Sequence, residues 1–572
     1  MKNNAVILSI NPLAHDTSAA LMIDGEIGAA CEQERYTKDK HSRKFPSDAV
    51  RSCLEIGKVG INDVCLLVVP YDIKLGVREH YLRNAMESDS RLDFLKNDVD
   101  KIKAMLDIED TIRKKLKYSG DIEFVNHHMA HLASAYYTSG FSESLLVCYD
   151  GLGEVDTMSI AVGKGESITI KENDNKYPHS LGLLYAAITY YLGWKYASDE
   201  GIVMGLASYG NPHEIVPGSK YTYYEVFEKI ISIEDEFTFR IDFPGWMNFY
   251  DSRSVWVGEK FINIFGPKRE ENDKLTQHHK NIAAALQKRI EYIVIGQLKA
   301  AKIKYNQNNL CISGGVGLNC SMNGEIASLK IFENIYIVPP SGDSGTNIGA
   351  CFLGHKLIGN NILMKKRHDF YLGSRFNNNE IKIELDKFES DYEYSDSIDV
   401  DTAKLLSEGN IIGWFQGGSE FGPRALGNRS ILTKPYPAEM KDYVNKRIKF
   451  REEFRPFAPA IMHEYHKDYF EINYESPHML MAVKAKESKK NDISATVHVD
   501  GSARVQTVKK SNNVKFWKLI NSFYKLTKVP VLLNTSFNVK GQPVVDSPKD
   551  AIETFYNTNL DFLVIGDYIV KK

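Results

Sequence analysis

Residues 145–162 read LLVCYDGLGEVDTMSIAV. Leu145–Tyr149 is an unbroken apolar run with a β-branched and an aromatic residue, the composition of a buried strand. Asp150-Gly-Leu-Gly-Glu154 follows as a loop that carries carboxylates. Ser159–Val162 reads as the returning strand, with a turn near Gly163. More than a hundred residues upstream the same plan occurs: strand Ala5–Ile10, a polar loop with His15 and Asp16, strand Ala19–Ile23, and a turn at Asp24-Gly25. In both places a buried strand ends in a carboxylate-bearing loop and comes back as a hairpin, with turn residues at the bend.

Downstream, His278 to about Lys304 has apolar residues at 282, 285, 286, 290, 293 and 294, the spacing of one helix face. Strand Leu310–Ile312 leads into Ser313-Gly-Gly-Val-Gly-Leu-Asn319, and strand Ile335–Val338 into Pro339-Pro-Ser-Gly-Asp-Ser-Gly345 before a small-residue helix, Thr346–Gly354. A Gly-rich turn after a strand lets backbone N–H groups approach a nucleotide closely. The duplicated hairpins and the two Gly loops resemble an actin-like ATPase fold of the sugar-kinase and heat-shock-chaperone type, with one phosphate-facing loop per half. Two ordinary hairpins in a mixed α/β protein remain the alternative. Residues 361–378 mix basic and polar side chains without period and read as a connector. After it come helix 401–408 capped by Gly409, strand Ile411–Phe415, helix Ala438–Lys449, helix 549–557 and strand Phe562–Ile565. The expected organisation is an N-terminal domain over 1–360, a connector over 361–378 and a C-terminal α/β domain over 379–572.

The chain has 572 residues, 43% of them hydrophobic, enough for more than one domain of ~150 residues. Lys and Arg total 71 against 74 Asp and Glu, a net charge of −3. That balance supplies no global field for nucleic acid or an anionic membrane, so anion binding must come from local clusters. The seven cysteines form no C-x-x-C pair and read as reduced thiols. The first residues are too short an apolar run for a signal peptide, and Ser180–Trp194 falls short of the roughly 18–20 residues that span a bilayer. A soluble, cytoplasmic protein is expected.

Two clusters carry chemistry. Asn126-His127-His128-Met129-Ala130-His131 follows a strand-like Ile122–Val125, and Asn126 is a good helix N-cap. His127 and His131 are i,i+4, so they share a helix face at a spacing that suits two imidazole ligands of one metal. With Asp150 and Asp343 they would form a mixed N/O site suited to Fe²⁺, Mn²⁺ or Zn²⁺; buried, hydrogen-bonded histidines are the bland reading. His128 points elsewhere and reads as structural. The second cluster is basic: Phe421-Gly-Pro-Arg424-Ala-Leu-Gly427-Asn-Arg429, Lys449-Phe-Arg451-Glu-Glu-Phe-Arg455 and His498-Val-Asp-Gly-Ser-Ala-Arg504. Arginine binds phosphate bidentately, and several convergent cations can hold polyphosphate or carbamoyl phosphate.

These motifs resemble the O-carbamoyltransferases that modify nodulation factors, cephem and aminoglycoside antibiotics, and ansamycins. The resemblance runs from His15-Asp16-x-Ser18-Ala-Ala20 through Glu34-Arg-Tyr-Thr-Lys-Asp-Lys40-His41, His127-x-x-x-His131, Asp150-Gly-x-Gly-Glu154, Glu200-Gly-Ile-Val-Met-Gly-Leu-Ala-Ser-Tyr-Gly210, Ser313-Gly-Gly-Val and Gly342-Asp343-Ser-Gly345. It continues through Gly422-Pro-Arg424-Ala-Leu-Gly427, Arg451-Glu-x-Phe-Arg455-Pro-Phe-Ala-Pro459 and Asn534-Thr-Ser536-Phe-Asn538. It implies an actin-like domain similar to the tRNA threonylcarbamoyl-transfer ATPase, joined to a YrdC-like C-terminal domain similar to the threonylcarbamoyl-adenylate synthase. It also implies two steps. Carbamoyl phosphate yields carbamate, which attacks ATP to give carbamoyladenylate and pyrophosphate; a hydroxyl of a small-molecule acceptor, a natural product or sugar, then takes the carbamoyl group and AMP leaves. By the same resemblance His127, His131, Asp150 and Asp343 hold the metal, expected to be iron (Fe²⁺) or another divalent ion, with Mg²⁺ accompanying ATP. Lys40, Gly314, Gly315, Asn319 and Ser341 contact the nucleotide, and Arg424, Lys449, Arg455, Arg504 and Ser536 bind carbamoyl phosphate and the ATP phosphates. His15 and Asp16 join Arg424 as catalytic candidates, His15 as base or orienting group for the acceptor hydroxyl.

Three positions depart from the family pattern: Gly418 stands where many relatives carry Arg, Ile202 where Lys is frequent, and Leu13 where an aminoglycoside-modifying relative has Asp. The competing activity is an actin-fold small-molecule kinase, which would form ADP and give the His-x-x-x-His pair no role. The aromatics of 211–275, with Trp246 at their centre, are expected either to line the acceptor pocket or to pack under a long loop. No nucleic-acid or membrane partner is expected, and a homodimer is left open.

Overall fold

The computed structural model describes residues 5–13, 15–367 and 369–572; residues 1–4, Ala14 and, within the expected connector, His368 lie outside the described set. The first hairpin belongs to a five-stranded sheet of Val6–Asn11 (β1), Ser18–Ile23 (β2), Glu26–Glu32 (β3), Leu66–Val69 (β4) and Asp121–Phe124 (β5), in the order β3-β2-β1-β4-β5. The second opens a sheet of Glu143–Tyr149 (β6), Met158–Lys164 (β7), Ser167–Glu172 (β8), Asn309–Ser313 (β9) and Asn334–Ile337 (β10), in the order β8-β7-β6-β9-β10. In each sheet the first three strands pair antiparallel and the last two join in parallel. The bulges also correspond, at Leu21/Met22 and at Ile160/Ala161. Unrelated hairpins would not share strand order, pairing sense and bulge, so the duplication read from the sequence is real.

The turn expected near Gly163 falls at Gly165: β7 runs on to Lys164 and the chain reverses at Gly165, where φ is +55°. Gly163 is a packing position: a Cβ there would lie 2.5 Å from the Tyr136 ring.

Between the sheets lie two helices, His127–Ser139 (α1) and Thr346–Leu357, with Gln277–Tyr305 (α2) and Cys320–Ser328 (α3) on the other face of the second sheet; Thr346–Leu357 is α4. One core joins Ile7, Ala20 and Val68 of the first sheet, Ala130 and Ala133 of α1, Ile348 and Ala350 of α4, and Leu146 and Cys148 of the second sheet. Every α1 residue except Met129 is buried. The helices cross so closely that a Cβ on Gly349 would stand 1.8 Å from the Ala130 carbonyl oxygen.

The rest of the chain builds an eight-stranded mixed sheet whose centre is, in spatial order, Ile412–Phe415, Arg429–Thr433, Val531–Ser536 and Ala458–Met462. It is tied to the N-terminal half in several places. Gly324 of α3 lies under the Ala482 carbonyl, the Arg35 guanidinium donates to the Gly422 carbonyl at 3.0 Å, and Lys38 pairs with Asp550. Among the described residues, 361–377 hold no regular element and a helix starts at Asn378, yet Phe370 and Leu372 are buried in the N-terminal core and Ala30 N–H donates to the Leu372 carbonyl. Trp246 is 8% exposed and packs with Met247, Phe249 and Phe261 in the core of the second sheet. Trp246 is therefore a packing residue of that aromatic segment.

The α1–α4 crossing makes a direct prediction. Gly349→Ala inserts a methyl against backbone and should cost about 1–3 kcal/mol, read as a lower denaturation midpoint with an unchanged m-value. An unaltered midpoint would show that the helices can part freely.

Candidate active site

α1 begins directly after β5. Asn126 caps it, its Oδ1 accepting from Met129 N–H at 2.9 Å, which places His127 in the first turn and His131 one turn on. The two imidazole Nε2 atoms are 3.2 Å apart. Asp150 reaches them from the end of β6, its Oδ2 3.3 Å from His127 Nε2 and 3.8 Å from His131 Nε2. Asp343 reaches them from the loop after β10, at 3.7 and 3.9 Å. The structure thus brings together all four residues of the sequence-derived metal set, with donor atoms within 4.8 Å of one another.

Their surroundings aim them. His127 Nδ1 donates to the Pro70 carbonyl at 3.1 Å, which leaves the Nε2 lone pair for the cluster. Asp150 Oδ1 accepts from Gly315 N–H at 3.0 Å, which turns Oδ2 to the histidines. That contact explains Ser313-Gly-Gly: Gly314 sits at φ +84° with a Cβ position 2.2 Å from the Tyr149 carbonyl oxygen, so the loop closes onto β6 only with glycine. Glu154, fully buried, accepts from the N–H groups of Asp72 at 2.7 Å and His127 at 2.9 Å and from Asn126 Nδ2 at 2.8 Å. It fixes the N-terminus of α1, a role sequence reasoning missed. The residue stands in the Asp150-Gly-x-Gly-Glu154 motif, but its partners lie 28 and 82 positions upstream. His128 is structural as expected, its Nδ1 meeting Ser159 Oγ at 2.8 Å and burial holding it neutral with a pKa of about 3.

The electrostatics fit a cation. Burial opposes charge on His127, but the bonds to Asp150 and Asp343 raise its pKa well above the ordinary value. Burial and the neighbouring His127 press His131 down to about 4. Burial would raise the pKa of Asp150, and the histidines hold it well below instead. A buried and a partly buried carboxylate beside one protonated imidazole call for further positive charge. A two-nitrogen, two-oxygen donor set suits a divalent Fe, Mn or Zn ion.

The first loop faces the same centre. Asp16 accepts from His15 Nδ1 and His41 Nδ1, each at 2.7 Å, and Glu34 accepts from the His41 N–H at 2.9 Å. Burial lowers the His15 pKa, but the Asp16 bond and the fields of Asp343 and Asp150 outweigh it and raise the group to about 9. His41 and Glu34 stand in a motif quoted from the sequence without a role; their convergence on Asp16 is visible only in three dimensions.

Of the expected nucleotide residues, Gly314 and Gly315 form the loop beside Asp150, and Ser341 lies against that loop, its Cβ 3.3 Å from a Cβ position on Gly317. Asn319 caps α3 through Met322 N–H and exchanges two hydrogen bonds with Gln287, so its amide is engaged within the protein. Lys40 is exposed on the loop before His41.

The basic residues converge in the C-terminal half. Arg424 is lowered to about 9 by burial and by Arg504 and Arg455, Lys449 well below its usual value by burial, Arg451 and Arg455, and Arg451 by burial, Arg455 and Arg504. Lys449 Nζ donates to Asn538 Oδ1 at 2.8 Å and to Ser536 Oγ at 3.4 Å. The Nε atoms of Arg424 and Arg504 are buried without partners among the described residues. The one carboxylate paired within the cluster is Glu452, 3.7 Å from Arg455. Five mutually repelling cations with so little counter-charge make an anion site. Arg451 was quoted in a motif but given no role. The loop that carries Arg424 lies on the metal-side loop: a Cβ on Gly422, at φ +120°, would sit 3.4 Å from Pro340 N, three residues before Asp343.

Comparison with known proteins decides the family. The carbamoyltransferase N-terminus family model matches residues 6–352, and the carbamoyltransferase C-terminus model matches residues 403–572. The chain belongs to the carbamoyltransferase family. This carbamoyltransferase is 35% identical over 575 residues to nodulation protein NolNO of Sinorhizobium fredii, covering 98% of this chain and 80% of the relative. It is 37% identical over 454 residues to nodulation protein NolO of Bradyrhizobium diazoefficiens, covering 78% and 79%. An uncharacterised Synechocystis protein is 36% identical, covering 99% of this chain and 96% of its own. Among solved structures, component A of (R)-2-hydroxyglutaryl-CoA dehydratase from Acidaminococcus fermentans aligns with a TM-score of 0.33 at 12% identity, over 62% of this chain and 100% of that one.

The departures from the family pattern have places in the carbamoyltransferase. A side chain at Gly418 would meet the Tyr371 carbonyl at 2.7 Å and Arg375 Nε at 2.9 Å, so a neighbouring guanidinium fills that space. Ile202 is buried on the helix Glu200–Ala207, and Leu13 is half-buried beside the first loop.

Elemental analysis separates the two histidine roles. The unmodified carbamoyltransferase should retain about one divalent ion per chain and His131→Gln about none, while His128→Gln keeps the ion. Because bound metal displaces the His127 proton, affinity should rise from pH 6 to pH 8. Equal metal contents in the two variants would remove the site.

Proposed function

We propose that this carbamoyltransferase makes carbamoyladenylate at the arginine cluster and transfers its carbamoyl group, at the His127–His131–Asp150–Asp343 centre, to a hydroxyl of a small-molecule acceptor. The observation that carries the reading is the cation cluster, with two unpartnered buried guanidinium atoms, set directly against the loop that supplies Asp343. Carbamoyl phosphate and ATP bring the anionic oxygens that such a cluster lacks. Arg424, Arg455, Arg504 and Lys449 bind phosphate oxygens, and Ser536, beside Lys449, orients one of them. Water cleaves carbamoyl phosphate to carbamate and inorganic phosphate; the carbamate oxygen attacks the α-phosphate of ATP, and pyrophosphate leaves against the same positive field.

On this reading the N-terminal half is an actin-like fold whose Gly314–Gly315 and Ser341 loops receive the nucleotide, and the C-terminal half is YrdC-like, with the boundary in 361–378. A divalent ion on the four donors would supply electrophilic polarisation of the adenylate. The chain's own residues do the rest. Glu154 and Pro70 hold the histidines, and the glycine loop holds Asp150. His15, oriented by Asp16, faces the acceptor oxygen: its pull toward imidazolium comes partly from Asp343 and Asp150, so neutralising those carboxylates returns it toward the range in which it takes a proton. The seven unpaired cysteines support a reducing, cytoplasmic setting, and no helix among the described residues is long and apolar enough to cross a membrane.

The test is the nucleotide product when purified protein meets ATP, Mg²⁺ and carbamoyl phosphate without acceptor. AMP and pyrophosphate should appear in dependence on carbamoyl phosphate, and Arg424→Ala should lower the rate by about 10²-fold or more. ADP as product would make the protein a phosphotransferase and end this proposal.

A further inference from the structure

A cavity of about 190 Å³ lies between the helical insertion that joins β4 to β5 and the segment around Tyr177 and Phe249. Both of its walls hang from one point. The insertion begins at Asp72, whose N–H donates to Glu154, and the facing wall is held by the Tyr177 N–H bond to the Val155 carbonyl, one residue on. Tyr71 links the cavity to the metal cluster: its ring is 6.1 Å from that of His127, and it lies within the field of Tyr81, which lines the cavity.

The lining combines aromatic faces with buried polar atoms that lack partners. Arg91 is 6% exposed, with its guanidinium 4.5 Å from the Tyr250 ring, 5.1 Å from Phe94 and 5.3 Å from Tyr177. It donates to the Tyr250 carbonyl at 2.8 Å and to the Tyr177 hydroxyl at 3.2 Å, yet its Nε is buried without a partner. His80 Nδ1 is also buried without a partner, and burial beside Arg91 and Lys101 keeps that imidazole neutral. Lys101 and Arg253 add positive charge, and the one lining carboxylate, Asp98, is taken up by Arg253. Three cations against one paired carboxylate attract oxygen acceptors and repel ammonium groups.

We propose that this cavity is the acceptor subsite and that it takes a ring-bearing, oxygen-rich acceptor, neutral or acidic, while rejecting amine-rich ones. This rests on the transfer reading above. The acceptor ring packs among the aromatic side chains of the lining and an oxygen accepts from Arg91 Nε, which leaves the hydroxyl to be modified on the Tyr71 side, toward His127.

Calorimetric titration of the full chain with D-glucuronic acid and with D-glucosamine, without nucleotide, tests the subsite. Glucuronic acid should bind at least about tenfold more tightly than glucosamine, and Arg91→Met should weaken it by about tenfold or more. Arg91 is packed in the core of the wall, so Lys101→Glu, at an exposed position, serves as the second variant: it should weaken glucuronic acid by about fivefold and narrow the gap to glucosamine. Binding of neither sugar, tighter binding of glucosamine, or a preference that both variants leave unchanged overturns the assignment. The underlying reading is scored separately, by carbamoyl-phosphate-dependent AMP formation in the unmodified chain.

Discussion

A buried carboxylate holds the central junction of this molecule. Glu154 stands in the loop after β6, in the second half of the duplicated fold, and its oxygens bind the backbone after β4 in the first half and the first turn of α1 between them. Burial pushes its pKa up, against the N–H donors and His127, which favour the ion. Such a group stays ionised in the interior only where it is fully hydrogen-bonded. That requirement sets the position of α1, and α1 sets both histidines. The two walls of the cavity depend on the same residues, because Asp72 and Tyr177 are anchored at Glu154 and Val155.

From this junction the charge pattern unfolds in opposite senses. Toward the sheets lies a negative pocket in which two carboxylates exceed the positive charge the histidines carry. Across the Pro339–Pro340 loop lies a positive pocket in which Arg424, Arg451, Arg455, Arg504 and Lys449 crowd together with little compensation. Neither pocket is comfortable by itself, and both are carried by close backbone packing that glycines permit. An unfavourable charge arrangement retained in a well-packed frame marks sites whose partners arrive from solution, on the proposed reading a metal ion on one side and phosphates on the other.

Much of this was legible in the sequence because it is local. Strand runs, the His127-x-x-x-His131 spacing, the Asn126 cap and the paired hairpins each follow from periodicity within a few residues, and the His131 and Asp150 pairing required only that strand-end loops meet. What stayed hidden depends on distant partners. Glu154, Glu34 and His41 were visible only as motif letters, since their roles come from residues tens of positions away. Trp246 stayed open between two readings because exposed and buried aromatics look alike in a loop-rich stretch, and the turn was placed near Gly163 rather than at Gly165 because a glycine beneath a tyrosine ring reads like a turn. The cavity has no linear signature at all: its lining is drawn from 80–101, 177 and 249–253.

The central claim is that two chemically distinct sites divide the reaction, adenylate formation at the arginines and transfer at the histidine–aspartate centre. Exchange of labelled pyrophosphate into ATP, in the presence of carbamoyl phosphate, reads the first step alone. His131→Gln should retain that exchange while losing carbamoyl transfer, and Arg424→Ala should lose both. Loss of exchange in His131→Gln, or its survival in Arg424→Ala, would contradict the division.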